Sequence, residues 1–209
     1  MRMLLDQDFV GIWKRKTGET PLGIYRFRGG LPYSEYVQTL FTYLEENYKF
    51  KKILEIGFLY GHSATWFLET FPKAHITSFD ILKTGCTIDG ITYVNYKLVT
   101  AKYGDNRFKF HRDSSIEIPK YYEPGVFDVA FVDGDHTCGG VVNDIETCFK
   151  LKIPLLIIDN MELPDQQRAV GFYKDNLKLI KSFVYYTINR DGLTHKRFVN
   201  LYDVLSYDI

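Results

Sequence analysis

The sequence predicts an α/β fold built on a doubly wound, mostly parallel seven-stranded sheet that ends in an antiparallel hairpin. Three observations predict it. Short β-rich runs recur at residues 53–56, 75–79, 107–111, 127–132 and 154–158, and the segments between them are long enough for helices, which is the alternation of a parallel sheet. Two further runs, Phe183 to Ile188 and Arg197 to Tyr202, flank Asn189-Arg190-Asp191-Gly192, whose Asp-Gly pair signals a hairpin. The first run hands over, through two glycines four apart, to a helical pattern.

Taken in order, residues 1–33 carry Gly11, Gly18, Pro21, Gly23, Gly29, Gly30 and Pro32 and read as an irregular lead-in or lid. A single domain is expected over 34–209. Ser34 is a plausible N-cap for a helix whose apolar positions Tyr36, Val37, Leu40, Phe41 and Leu44 repeat at helical spacing. Ile53, Leu54 and Ile56 suit a strand buried on both faces. Gly57 and Gly61 then let the backbone turn sharply and approach a ligand, and Ser63 opens a helix whose free N–H groups would attract a carboxylate or phosphate.

The glycine spacing departs from Gly-x-Gly-x-x-Gly, which counts against NAD. The run Glu55-Ile56-Gly57-Phe58-Leu59-Tyr60-Gly61-His62-Ser63-Ala64 resembles instead the first motif of class I S-adenosylmethionine (SAM)-dependent methyltransferases, in particular the small O-methyltransferases related to catechol O-methyltransferase. That resemblance implies a Rossmann-like sheet of five parallel strands closed by a hairpin. It also implies a glycine turn, with Glu55, Phe58 and Tyr60, lying against the methionine part of SAM, and Ser63 holding its carboxylate.

Ligands of open α/β sheets sit beyond the carboxyl ends of the strands, and here an acid follows nearly every strand. Asp80, after the second, could accept from both ribose hydroxyls; a solvated strand end or a cap is the plainer reading. Asp113-Ser114, after the third, is similar to the family's segment at the adenine edge, although Arg112 precedes it where a small residue is usual, and Asp113 would serve equally as a helix cap.

The fourth strand runs into Asp133-Gly134-Asp135-His136 and the fifth into Asp159-Asn160. Carboxylates crowded at one edge raise one another's pKa unless a cation relieves them. Asp133, Asp159 and Asn160 offer hard oxygen ligands suited to Mg²⁺, Ca²⁺ or Mn²⁺, and they match the metal-binding Asp and Asp-Asn of catechol-type and caffeoyl-CoA-type enzymes. Alternatively Asp133 and His136 touch SAM and Asp159-Asn160 caps a helix. His136 lies three residues after Asp133, where those relatives place a catalytic lysine, and a histidine there is matched to neutral pH as a base. Asp133-Gly134-Asp135-His136-Thr137 is closer to a branch that includes sugar and antibiotic O-methyltransferases, in which the histidine packs near the adenine. The expected reaction is metal-assisted methyl transfer to a hydroxyl of a small acceptor, with His136 or Asp135 taking the proton. Metal-independent transfer and a non-catalytic SAM-binding subunit are the alternatives.

Composition sets the remaining bounds. Lys plus Arg and Asp plus Glu each number 26, so no net charge advertises nucleic acid or an anionic membrane. The apolar runs are short and the N-terminus lacks a signal-peptide core, so a cytoplasmic protein is expected. Cys86, Cys138 and Cys148 show neither disulfide nor zinc spacing and read as reduced thiols. A homodimer is left open.

Overall fold

The computed structural model describes residues 35–59, 61–81, 89–188 and 194–208. The lead-in, Ser34, Tyr60, Cys86 and the turn 189–192 lie outside them.

The elements are α1 (Glu35–Asn47), β1 (Lys52–Ile56), α2 (His62–Thr70), β2 (His75–Phe79), α3 (Asp89–Tyr103), β3 (Phe108–His111), a 3₁₀ turn (Ser115–Lys120), β4 (Val129–Val132), α4 (Cys138–Lys150), β5 (Leu155–Ile158), α5 (Pro164–Phe172), β6 (Leu177–Ile188) and β7 (Thr194–Val204). They form one seven-stranded sheet in the order β3-β2-β1-β4-β5-β7-β6. β1 pairs in parallel with β2 and β4, β2 with β3, and β4 with β5, while β7 is antiparallel to both β5 and β6. The doubly wound sheet and its closing hairpin are as the sequence predicts.

Strand boundaries shift by a residue or more in several places, β7 running over Thr194–Val204 rather than 197–202, and two of the shifts bear on the reading. β4 starts at Val129, two residues later than expected; just before it the Asp128 carboxylate accepts from the amides of Lys51 and Lys52 at 2.5 and 2.8 Å, while its own amide donates to Lys52 O at 2.8 Å. β6 starts at Leu177 rather than Phe183, and its early part hides the strand pattern: the register is irregular between Leu179 and Lys181, and Leu179 and Ile180 both face solvent.

Alternation along the strands divides the core in two. Ile53, Ile76, Phe108, Val129, Phe131 and Ile157 pack with Leu40, Leu44, Ala64 and Phe67 of α1 and α2. Leu54, Ile56, Phe79, Val132, Leu156 and Ile158 pack with Val141, Ile145 and Phe149 of α4. Among the described residues no helix is long and apolar enough to cross a membrane.

One more rung aligns the strand ends. Gly57 N donates to Phe79 O (2.8 Å), Asp80 N to His111 O (3.1 Å), Asp133 N to Ile56 O (2.9 Å) and Asp159 N to Val132 O (3.1 Å). Three acids therefore stand in a row with Gly57, across the point between β1 and β4 where the winding of the sheet reverses.

Candidate active site

The turn after β1 is packed tightly against its own protein. Gly57 has φ +91°, and a Cβ there would lie 2.1 Å from the carbonyl oxygen of Asp133. Gly61, at φ +73°, would meet the ring of Phe58 at 2.4 Å. The space that each glycine keeps open is thus filled by Asp133 and Phe58. Phe58 is buried against Phe108 and Phe110, so its ring belongs to the core rather than to the crevice. The turn is held from outside by Asp80, whose Oδ2 accepts from the amides of Phe58 and Leu59 at 2.9 and 2.8 Å.

Ser63 behaves differently from expectation. α2 starts at His62 with Gly61 as its N-cap, and the Ser63 hydroxyl donates to Glu55 Oε1. Ser78 donates to Oε2 of the same carboxyl group, and the Ala64 amide donates to it as well. The Glu55 carboxyl group therefore receives the start of α2, a place the sequence reading gave to a ligand carboxylate. It is fully enclosed, and burial pushes its pKa up to about 7 against these hydrogen bonds.

After β3, Asp113 accepts from the Ser114 amide and the Tyr121 hydroxyl, both at 2.8 Å. The next hydroxyl, that of Ser115, donates to Oδ1 of buried Asp144 at 2.5 Å. Asp144 Oδ2 has no partner and lies beside Gly134, where a Cβ would approach it to 3.1 Å. Burial pushes Asp144 up to about 7. Sequence reading missed this residue, because an Asp seven positions into a helix looks like ordinary surface.

Asp135 and His136 part company after β4. Asp135 Oδ1 accepts from the Thr137 amide (2.9 Å) and its carboxyl packs over Gly140, so it organises the start of α4. His136 is exposed, with Nδ1 3.0 Å from Nε2 of Gln166, a buried side chain on α5 whose Oε1 has no partner. Desolvation and the charge of Arg197 lower the His136 pKa, opposed by Asp135 and Glu162, which keeps the imidazole neutral near pH 7.

Asp133, Asp159 and Asn160 do come together, yet around a different cation. Asn160, at φ +57°, donates from Nδ2 to Asp133 Oδ1 (3.0 Å) and accepts at Oδ1 from Arg197 Nη1 (2.6 Å). The same Nη1 donates to Glu162 Oε1 at 2.7 Å. Asp159 Oδ1 accepts from the Asn160 amide (2.7 Å) and the Tyr185 hydroxyl (3.1 Å). Burial, then Asp159 and Glu55, drive Asp133 well above the usual carboxylate range, and burial pushes Asp159 up to about 6; Arg197 opposes both rises.

A divalent ion does not fit this arrangement. Sharing one would require Asp133 and Asn160 to turn oxygens toward a common point, whereas Asn160 turns its NH₂ to Asp133 and its oxygen to a guanidinium. Among the described residues no cluster of His, Cys, Asp or Glu has metal-binding geometry. The three residues expected to hold a metal, Asp133, Asp159 and Asn160, are thus brought together, and Arg197, 37 residues along the chain from Asn160, places a positive charge beside them. Its signal in the sequence was an arginine that follows His195 and Lys196 on the strand beside β5.

SAM is a better match to these residues. The crevice combines a strand-end acid beside the glycine turn (Asp80), a half-buried acid pushed toward neutrality (Asp133) and a buried, unpartnered acceptor near the third strand (Asp144). A ligand carrying two cationic centres, a diol and an exocyclic amine has the complementary chemistry.

Comparison with known proteins points the same way. Residues 54–154 match the family model for a methyltransferase domain. No curated protein matches the sequence. Cofactor-bound Rv0187 from MTB has a TM-score of 0.62 at 16% identity, covering 99% of this chain and 100% of that one. The O-methyltransferase TomG from Streptomyces achromogenes, involved in tomaymycin synthesis and solved in complex with SAM, gives 0.61 at 15%, covering 97% and 99%. TrmN from Thermus thermophilus gives 0.59 at 14%, covering 81% of this chain and 48% of that one, so the chain spans about half the length of TrmN. At such identities what is shared is the fold.

Proposed function

We infer that this chain is a class I SAM-dependent methyltransferase, a reading that its fold and the methyltransferase-domain match over residues 54–154 support, and that it methylates a hydroxyl oxygen of a small molecule at the strand ends of β1, β4 and β5. The observation that carries the reading is the row of Asp80, Asp133 and Asp159 at the strand ends, with buried Glu55 behind it: burial and then Asp159 and Glu55 raise the pKa of Asp133, burial raises that of Asp159, and a cationic ligand beside them would be favoured. SAM would be held by the backbone of the 57–59 turn and by Asp80, Asp133 and the Asp113–Ser114 corner, and it supplies a methyl group made electrophilic by a sulfonium. TomG, an O-methyltransferase, supports oxygen as the acceptor atom, and equal numbers of acidic and basic residues support a small molecule over nucleic acid.

The protein's part is to orient the acceptor and take its proton. Neutral His136 is the group suited to this. For Nε2 to accept, Nδ1 must carry the hydrogen, which requires Gln166 to present its oxygen to that nitrogen. Turning the amide over brings the unpartnered Oε1 onto Nδ1–H and leaves Nε2 as the base. Asp135, engaged at the start of α4, is left with a supporting charge.

Calorimetry with SAM and S-adenosylhomocysteine, followed by assays with radiolabelled SAM against hydroxylated acceptors, tests the reading. Saturable binding of both and label in an acid-stable ether product are expected. NADH binding with no response to either sulfur ligand would overturn it.

A further inference from the structure

We propose that Arg197 stands in for a divalent ion, as a cation built into the chain that receives the acceptor's oxygen on the β5–β7 side of the crevice, so that transfer needs no metal. This rests on the methyltransferase reading above.

The placement follows from register. β7 runs antiparallel to β5 with Ile158 opposite Asn200, so residues 197–199 continue past the end of β5. There Met161 N donates to Phe198 O (2.9 Å) and Phe198 N donates to Glu162 Oε2 (3.0 Å), which fixes Arg197 beside Asp159 and Asn160. Its side chain is 30% exposed, so it borders solvent while being anchored at Nη1 by Asn160 and Glu162. A second, divalent charge beside a fixed guanidinium would be repelled, and Oδ1 of Asp133, of Asp159 and of Asn160 each already accepts a hydrogen bond.

A guanidinium is weakly hydrated and presents a planar fork of donors, so it suits an oxygen that gains negative charge, or two neighbouring oxygens on one acceptor. The acceptor's O–H proton passes to His136 Nε2. The oxygen forms its bond to the methyl carbon as the carbon–sulfur bond breaks. That bonding pair stays on sulfur, which becomes a neutral thioether. Arg197 steadies the oxygen's charge while the proton leaves, a role that a hydroxyl beside a carbonyl or second hydroxyl would exploit best.

The test titrates Mn²⁺ into the 209-residue chain and into Arg197→Ala and Arg197→Lys, reading free ion by electron paramagnetic resonance, SAM affinity by calorimetry and turnover in EDTA. The wild type should show no saturable Mn²⁺ binding below about millimolar and full turnover in EDTA, and Arg197→Lys should likewise exclude the ion. Arg197→Ala exposes an unbalanced oxygen cluster and should take up Mn²⁺ about tenfold more tightly or better. Micromolar Mn²⁺ binding by the wild type, EDTA-sensitive turnover, or an alanine variant that binds SAM normally and takes up no more ion than wild type would each overturn the proposal. If Arg197→Ala does not fold, the wild type and Arg197→Lys decide by the same measurements. Failure of the wild type to bind SAM would sink the cofactor reading instead.

Discussion

Gln166 Nε2 lies 3.0 Å from Nδ1 of His136, and with that nitrogen accepting, the proton of the neutral ring sits on Nε2, the nitrogen required as the base. The direction of one buried amide therefore decides whether His136 donates or accepts. Gln166→Leu should lower kcat by about 10- to 100-fold with little change in KM, the scale for losing the group that orients a functional imidazole. Gln166→Glu fixes the tautomer with an acceptor-only group and adds negative charge, so it should retain activity and move the acidic limb of the kcat/KM profile to higher pH. Equal losses in both variants would show that Gln166 only packs.

Arg197 acts on the same histidine through its charge. Its positive field, after desolvation, holds the His136 pKa below the ordinary value of 6.5. Removing it in Arg197→Met should raise that pKa, so that the imidazole becomes protonated at higher pH and the acidic limb of activity shifts upward. NMR titration of the His136 ring checks the sign directly, and an unchanged or lower midpoint would refute the assignment.

Asp80 serves the turn as well as the ligand. Asp80→Ala leaves the amides of Phe58 and Leu59 without their acceptor and should weaken SAM binding by about 1–3 kcal/mol while lowering the melting temperature. Asp80→Asn keeps a carbonyl for both amides, so it should melt near wild type and lose affinity only through the missing charge. Equal melting losses in the two variants would break this division.

Gly57→Ala should be the most damaging small change at the site. The new methyl group would meet the Asp133 carbonyl at 2.1 Å on a backbone with φ +91°, a cost of about 1–3 kcal/mol for the dihedral alone. Relief requires displacing β4 at Asp133, so SAM affinity and stability should fall together in calorimetry. A variant that melts with wild type would contradict the close approach.

Glu55 gives the fold a pH dependence of known sign. Its folded pKa, about 7, is above its ordinary value of 4.5, so its neutral form favours folding below pH 4.5 and that contribution is lost as pH rises through 7. Glu55→Gln, which stays neutral, should gain stability over wild type as pH climbs across this window, by on the order of 3 kcal/mol at its upper end. Denaturant midpoints at pH 5 and pH 8 test it, and a gap that is constant or narrows with pH would refute it.

Short, near-continuous β-rich runs made β1, β2 and β5 legible, because a strand buried on both faces shows no alternation and is marked by its run and its β-branched residues. The early half of β6 was not legible, since its bulge and its exposed Leu179 and Ile180 erase the alternation. At the site, the strand-end acids could be placed from the sequence because topology alone puts them in one row. Their partners could not. That Ser63 turns inward to Glu55, that Asp135 packs on Gly140 and that Arg197 reaches Asn160 all depend on side-chain direction and on contacts across 5 to 37 residues of chain, which spacing does not encode.

Because β7 is the last strand in the chain and yet lies next to β5, the acceptor side of the crevice is written in a different stretch of sequence from the cofactor side. Changes confined to residues 194–204 can alter which oxygen the protein welcomes while the turn at Gly57 and its support at Asp80 stay untouched. Substrate preference and cofactor use can then drift independently, and a library varying the neighbours of Arg197 is the natural place to look for new acceptors.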